Sequence, residues 1–319
     1  TTGARPLHEG LSRVAFLLYI LFIQLGSIHH LLVDPGLGAT NRIMNTSYFM
    51  YMAVLGSLIH AFSIPSAVEA AQRARGQNRG LFGWLRRAPW REPGFSSLAL
   101  SFVVFGFLAG VTGVIMGVPQ LDMLVHNTLY VPGHFHLTVV SGTTVAFMGI
   151  AYYLVPLIAR RQLVGGRMAR WQPYVFSLGL LLMTGGMLLA GQMGVPRRVW
   201  DITYDLAPLA TGVFQTPAVQ LALGLFGIGA LVAVAGGAMF VAVMVGTLWM
   251  GKATDRPAVF VQAPALPAAM GGSQLADPTP GEHGLRAPGT LALVFTFLAW
   301  FVLAYIAAWH NLAGSWGVR

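Results

Sequence analysis

Runs of about 20 apolar residues, long enough to cross a bilayer as a helix, recur seven times along this 319-residue chain. The pattern predicts helices over roughly 11–32, 47–69, 96–118, 131–158, 173–195, 218–249 and 290–310. Segments bearing Pro and Gly separate most of them. The Pro- and Ala-rich run 251–289 reads as a flexible linker. The expected fold is all-α: a polytopic transmembrane helix bundle of about seven spans. Residues 1–319 then form a single transmembrane domain with a cytoplasmic linker inside it.

Composition agrees with that pattern. The chain is 55% hydrophobic and only 9% charged, whereas a soluble domain is nearer a quarter charged. There is no cysteine, which excludes disulfides, thiolate metal sites and iron–sulfur clusters. A metal here must use His, carboxylate or a cofactor. The net charge of +9 lies in the loops, so it reports membrane topology rather than nucleic-acid binding.

Arginine placement predicts the orientation. Arg73, Arg75, Arg79, Arg86, Arg87 and Arg91 lie between the second and third spans, and Arg160, Arg161, Arg167 and Arg170 between the fourth and fifth. The alternate loops carry Arg42, then only His126, then Arg197 with Arg198. By the positive-inside rule, the residue-1 end is cytoplasmic and the last residue lies outside. The segment from Gly80 to Arg91, basic and aromatic, is expected on the inner membrane surface.

Two histidine pairs sit within the apolar runs, His29-His30 and His134-Phe135-His136. Ionisable groups inside a bilayer are costly and usually functional, and imidazole is a common ligand for transition metals. Residues two apart on an α-helix point about 200° apart. His134 and His136 therefore leave opposite sides of one helix and suit two separate haems, although hydrogen-bonded interfacial histidines would also account for them. Adjacent His29 and His30 splay by about 100° and can share one ion if the helix end loosens, as Asp34-Pro35-Gly36 would allow. The alternative is a pair at headgroup level that reaches water.

Other polar residues gather near these. Arg197 and Arg198 suit bidentate carboxylates such as haem propionates, or ordinary interfacial anchoring. Asp122, His126 and Asn127 are candidates for the other side of that cluster. Ser57, His60 and Ser63 share one helical face through their spacing of three. Such a stripe can carry protons or bond to neighbouring helices. Glu69 reads either as the mouth of that stripe or as a solvated charge. The glycines from Gly106 to Gly117, with Gly185 and Gly186, read as helix packing.

In this order, the motifs resemble the large catalytic subunit of the haem–copper oxidase superfamily. The match lies in His29-His30, in Val125-His126-Asn127-Thr128 through Val131-Pro132-Gly133-His134-Phe135-His136, and in Val195-Pro196-Arg197-Arg198. Asp34-Pro35-Gly36 and Gly80-Leu81-Phe82-Gly83-Trp84 bring it nearest to the B family, the ba-type cytochrome c oxidases. The resemblance implies His29 and His30 as ligands of an active-site copper, His134 as the ligand of a high-spin haem, and His136 as one ligand of a low-spin haem. Asp122, His126, Asn127, Arg197 and Arg198 would hold propionates. Ser57, His60 and Ser63 match the B family's proton path, in which the middle residue is usually Thr; His60 is a departure.

The resemblance implies reduction of dioxygen to water in a bacterial or archaeal plasma membrane, coupled to proton translocation. Its implied partners are cytochrome c or a similar donor, a second subunit carrying a copper that accepts electrons, and the N-terminal half of the same subunit. The chain resembles only the second half of that subunit, so a split half or fragment is expected. The first half would supply the third copper ligand, the other low-spin haem ligand and a redox-active Tyr. A nitric oxide reductase of the same superfamily is the nearest alternative. A polytopic transporter or haem electron carrier without enzymatic activity is the alternative of another class.

Overall fold

In the computed structural model, residues 4, 8–26, 32–33, 35–197, 212–255 and 287–313 are described. Among them the chain is helical throughout, without named strands. Helix α1 spans Glu9–Leu25 and α2 Ala39–Met44; α3 spans Met50–Ala74 and α4 Gly83–Arg86. Next come α5 (Pro93–Val104), α6 (Gly110–Met116), α7 (Pro119–Val125) and α8 (Tyr130–Phe135). The chain continues through α9 (Val145–Ala159), α10 (Gly166–Gln192), α11 (Pro217–Met250) and α12 (Pro288–Ala313). Three π-helical segments, Asn45–Phe49, Phe105–Ala109 and His136–Thr144, splice shorter helices into longer rods.

Six of the seven expected spans are present as helices long and apolar enough to cross a membrane, so the chain is a multi-pass membrane protein. The first is shorter than expected. Instead of running to residue 32, α1 stops at Leu25 after 17 residues, where Gly26 caps it through a backbone bond to Phe22. At 1.5 Å per residue that is about 25 Å, the lower limit for a span. Pro opens α5, α7 and α11, where its missing N–H has no helical partner to lose.

The core is the contact between α10 and α11. Gly179 and Gly186 of α10, and Gly229 and Gly236 of α11, recur at heptad spacing. A Cβ on any of them would collide with backbone of the opposite helix, at Ala233, Ala222, Met183 and Phe176 respectively. Lipid tails are as apolar as Leu, so helices in a bilayer associate through close backbone packing at small residues and through buried hydrogen bonds. Gln172, fully buried, supplies such bonds. It accepts from the Tyr152 hydroxyl at 2.9 Å and donates to the Gly236 carbonyl at 3.3 Å, joining α9, α10 and α11.

The arginine-rich loops share one end of the bundle. The Tyr174 hydroxyl donates to the Trp90 carbonyl, linking the start of α10 to the lead-in of α5. Both ends of the 251–289 run are ordered. Residues 252–254 pair with 160–162 through backbone bonds, and Arg161 holds the Gly251 carbonyl at 2.7 Å. Residues 256–286 lie outside the described residues.

Glu69 is not a solvated charge. It is fully buried. One carboxylate oxygen accepts from the Gly289 N–H (2.9 Å) and from Arg73 Nε (2.7 Å). The other accepts from the Thr290 N–H (2.6 Å) and hydroxyl (2.7 Å). A carboxylate thus caps the N-terminus of α12, where unpaired N–H groups and the helix dipole favour negative charge. Arg73 also binds the Gly80 and Leu81 carbonyls, folding the loop over this junction. Trp84 is buried there at 2% exposure, beneath Gly289.

Glu69→Ala leaves Arg73 and the α12 N-terminus without their shared partner. Breaking one side of a buried pair costs about 3–5 kcal/mol. The expected result is a clearly lower unfolding temperature in detergent and early protease cleavage ahead of α12.

Candidate functional site

At the opposite end of the bundle, α8 places His134, and His136 opens the π segment that follows it. His134 is buried, at 6% exposure, against α6. Its Nδ1 lies 2.9 Å from the Thr112 hydroxyl oxygen. That hydroxyl has one hydrogen, and the carbonyls of Leu108 and Ala109 stand 2.9 and 3.0 Å away to accept it. With that hydrogen on either carbonyl, Thr112 accepts from His134, and Nδ1 then carries the hydrogen and Nε2 the lone pair. His136 reaches the same state differently. Its Nδ1 lies 2.7 Å from the Pro132 carbonyl, which can only accept. Both imidazoles are thus set in the tautomer that presents Nε2 as a ligand.

Two glycines make room for this arrangement. A Cβ on Gly113 would lie 2.9 Å from His134 Cε1, so only glycine lets the ring lie flat on α6. A Cβ on Gly133 would press within 3.1 Å of Leu188, which packs α8 onto α10. The backbone widens into its nine-residue π segment at His136, and π segments concentrate at functional positions. The α geometry behind the 200° estimate therefore ends at Phe135.

Arg197 comes to this end from the chain that leaves α10. Residues 195–197 run beside 127–129: Leu129 N–H donates to the Val195 carbonyl, and Arg197 N–H to the Asn127 carbonyl. The Arg197 guanidinium donates from Nη2 and Nε to Asn127 Oδ1 at 3.0 and 3.3 Å. Asn127 has φ of 58°, a left-handed conformation that Asn tolerates better than most residues. A cleft of about 360 Å³ opens between Leu129, Pro132, Phe135, Met187 and Arg197. It is apolar but for the one guanidinium. Asp122 is fully buried nearby, with His126 Nδ1 4.0 Å from its carboxylate.

His29, His30, Asp34 and Arg198 lie outside the described residues. Among those described, no three His, Asp or Glu side chains converge. A metal at His134 or His136 would need ligands from a cofactor or from further chain.

Ser57, His60 and Ser63 lie far along α3 from these groups, and Tyr19 of α1 joins them. Its hydroxyl donates to Ser57 Oγ at 3.0 Å, and its ring stacks on the His60 imidazole at 5.5 Å. Tyr19 and Thr112 are functional positions that the sequence pattern does not mark, and Gly113 reads there only as a packing glycine. A phenol and a hydroxyl inside apolar spans were the available signals for the first two.

These features define a multi-pass helical membrane protein with two tautomer-fixed imidazoles on one span. The family model for cytochrome c and quinol oxidase polypeptide I matches residues 1–232, and the chain belongs to that family. Subunit 1 of cytochrome c oxidase from a Thermus thermophilus strain is 36% identical over 201 residues, 62% of this chain and 35% of that one. Cytochrome c oxidase polypeptide 1 of Halobacterium salinarum is 32% identical over 144 residues, 43% of this chain and 22% of that one. The fold matches a haem–copper terminal oxidase dimer solved by cryo-electron microscopy, with a TM-score of 0.69 and 23% identity. That match covers 95% of this chain and 50% of the solved one, so the chain spans about half its length.

Thr112→Val deprives His134 Nδ1–H of its acceptor. One buried unsatisfied donor costs about 1–3 kcal/mol, and the unfolding temperature in detergent is expected to fall accordingly. Thr112→Ser keeps the hydroxyl and is expected to restore it.

Proposed function

We propose that this chain forms part of the catalytic subunit of a terminal respiratory oxidase, of the B-family, ba-type haem–copper kind, which reduces dioxygen to water. The observation that carries this reading is the shared tautomer of His134 and His136. Each imidazole spends Nδ1–H on a fixed protein acceptor and keeps its Nε2 lone pair, the state a neutral histidine needs to ligate haem iron. The donor set fits two haems and excludes a metal site built from described side chains alone.

His134 would be the single protein ligand of a high-spin haem, and His136 one of two ligands of a low-spin haem. Haem iron held in these ways supplies electron transfer and oxygen activation. Thr112 and Pro132 set the two rings, and Gly113 admits the first. Arg197, fixed by Asn127, would hold a propionate in two parallel hydrogen bonds, and Arg198, Asp122 and His126 would serve the same propionates. His29 and His30 would contribute two ligands to an active-site copper. The third copper ligand and the second low-spin ligand must come from helices beyond these residues.

Ser57, His60 and Ser63 would carry protons toward this end of the bundle from the arginine-rich end, which faces the cytoplasm in this reading. Electrons would arrive from cytochrome c or a similar donor through a second, copper-bearing subunit.

The test is the haem and metal content of the complex purified through this chain. Two haems with stoichiometric copper, besides any copper in the donor-accepting subunit, are expected. His134→Ala is expected to lose the high-spin haem spectrum, and His136→Ala the low-spin one, each leaving the other band. Two haems with a non-haem iron and no active-site copper would point to nitric oxide reduction instead.

A further inference from the structure

The stripe on α3 is longer than its three expected members, and it is not confined to α3. Ser57, His60, Ser63 and Ser66 recur every third residue, rising about 4.5 Å and turning about 60° backward at each step. Ser63 and Ser66 are buried, and Ser66 Oγ has no hydrogen-bond partner among the described residues. At the Ser57 end α1 closes over the stripe. Gly56 permits this, since a Cβ there would lie 3.2 Å from the Ala15 carbonyl and 3.6 Å from the Tyr19 ring.

Tyr19 uses that closeness twice. Its hydroxyl donates to Ser57 Oγ. Ser57 accepts this hydrogen, so its own is free to turn to another acceptor. The phenol ring also lies nearly parallel to the His60 imidazole, at an interplanar angle of 17°. Stacking holds the plane of the imidazole, and with it the directions of both ring nitrogens.

We propose that Tyr19 is a further positioning residue for proton transfer, holding Ser57 and His60 in the order in which protons pass between them. This rests on the oxidase reading. At each transfer His60 takes a proton on its free nitrogen and passes that same proton on to the next carrier, so the imidazole ends in its starting charge and tautomer and no electrons move. Tyr19 keeps its own proton and acts through its two neighbours.

The experiment compares wild-type and Tyr19→Phe complexes, each assembled with the remaining helices and reconstituted in liposomes. The phenylalanine ring keeps the stack and the α1–α3 contact, so folding is retained. The expected result is a kcat for oxygen reduction lowered roughly tenfold, the size of one lost hydrogen bond. KM for oxygen and both haem spectra are expected to stay unchanged. The slowed phase is expected to be proton uptake, with an enlarged solvent deuterium effect, while electron transfer between the haems keeps its rate. Ser57→Ala is expected to slow uptake more than Tyr19→Phe, since it removes a carrier, and adding Tyr19→Phe to it is expected to slow uptake little further, because the bond they share is already gone. Unchanged uptake in Tyr19→Phe, or a loss that tracks the haem spectra, would overturn the proposal and leave the oxidase reading standing. A wild-type complex that holds no haem and consumes no oxygen would overturn both.

Discussion

The close approach of backbones along α10 is the constraint on which the rest of the structure depends. At Gly179 and Gly186 the helix meets α11 with no side chain between them. At Gly191 it meets the backbone of Tyr130, where α8 begins. Those contacts fix the distance at which Leu188 packs over Gly133 and at which residues 195–197 run beside 127–129. Move α10 outward by the width of one methyl group, and Arg197 no longer lies beside Asn127. In a bilayer no hydrophobic force draws helices together, so the site is positioned by shape.

Several polar groups within this shape are tied to a partner that decides their chemical state. The Pro132 carbonyl can only accept, so it fixes the tautomer of His136. The Thr112 hydroxyl, already donating to its own helix, does the same for His134. Gln172, on α10, spends its amide on α9 and α11. Buried polar groups left unpaired are expensive, and here the same bonds that satisfy them also orient them.

Much of this architecture was legible in the sequence because the bilayer imposes one length scale. Six spans lie within seven residues, at either end, of the apolar runs that predict them. Asn127 and Arg197 were read as one cluster, and they do touch. What the hydropathy pattern could not contain is the backbone detail. A π segment has the same composition as the α-helix around it, so the widening at His136 left no trace. Gly113 was read as a packing glycine because nothing in the chain says that its neighbour is an imidazole from another span. Glu69 was left between two roles, since its partners lie 220 residues away in the sequence. Tyr19 was passed over because an amphipathic ring in an apolar run is ordinary until its contacts are seen.

The socket at Glu69 carries a consequence for how the chain can change over time. Lengthening a connection is cheap, about 0.6 kcal/mol for each doubling, whereas four hydrogen bonds to one buried carboxylate specify where α12 begins. Its seat is written into α3 rather than into the stretch that leads up to it. Insertions and deletions there can accumulate across descendants while the helix keeps its berth, and only Glu69, Arg73 and the Gly289-Thr290 pair have to be inherited together.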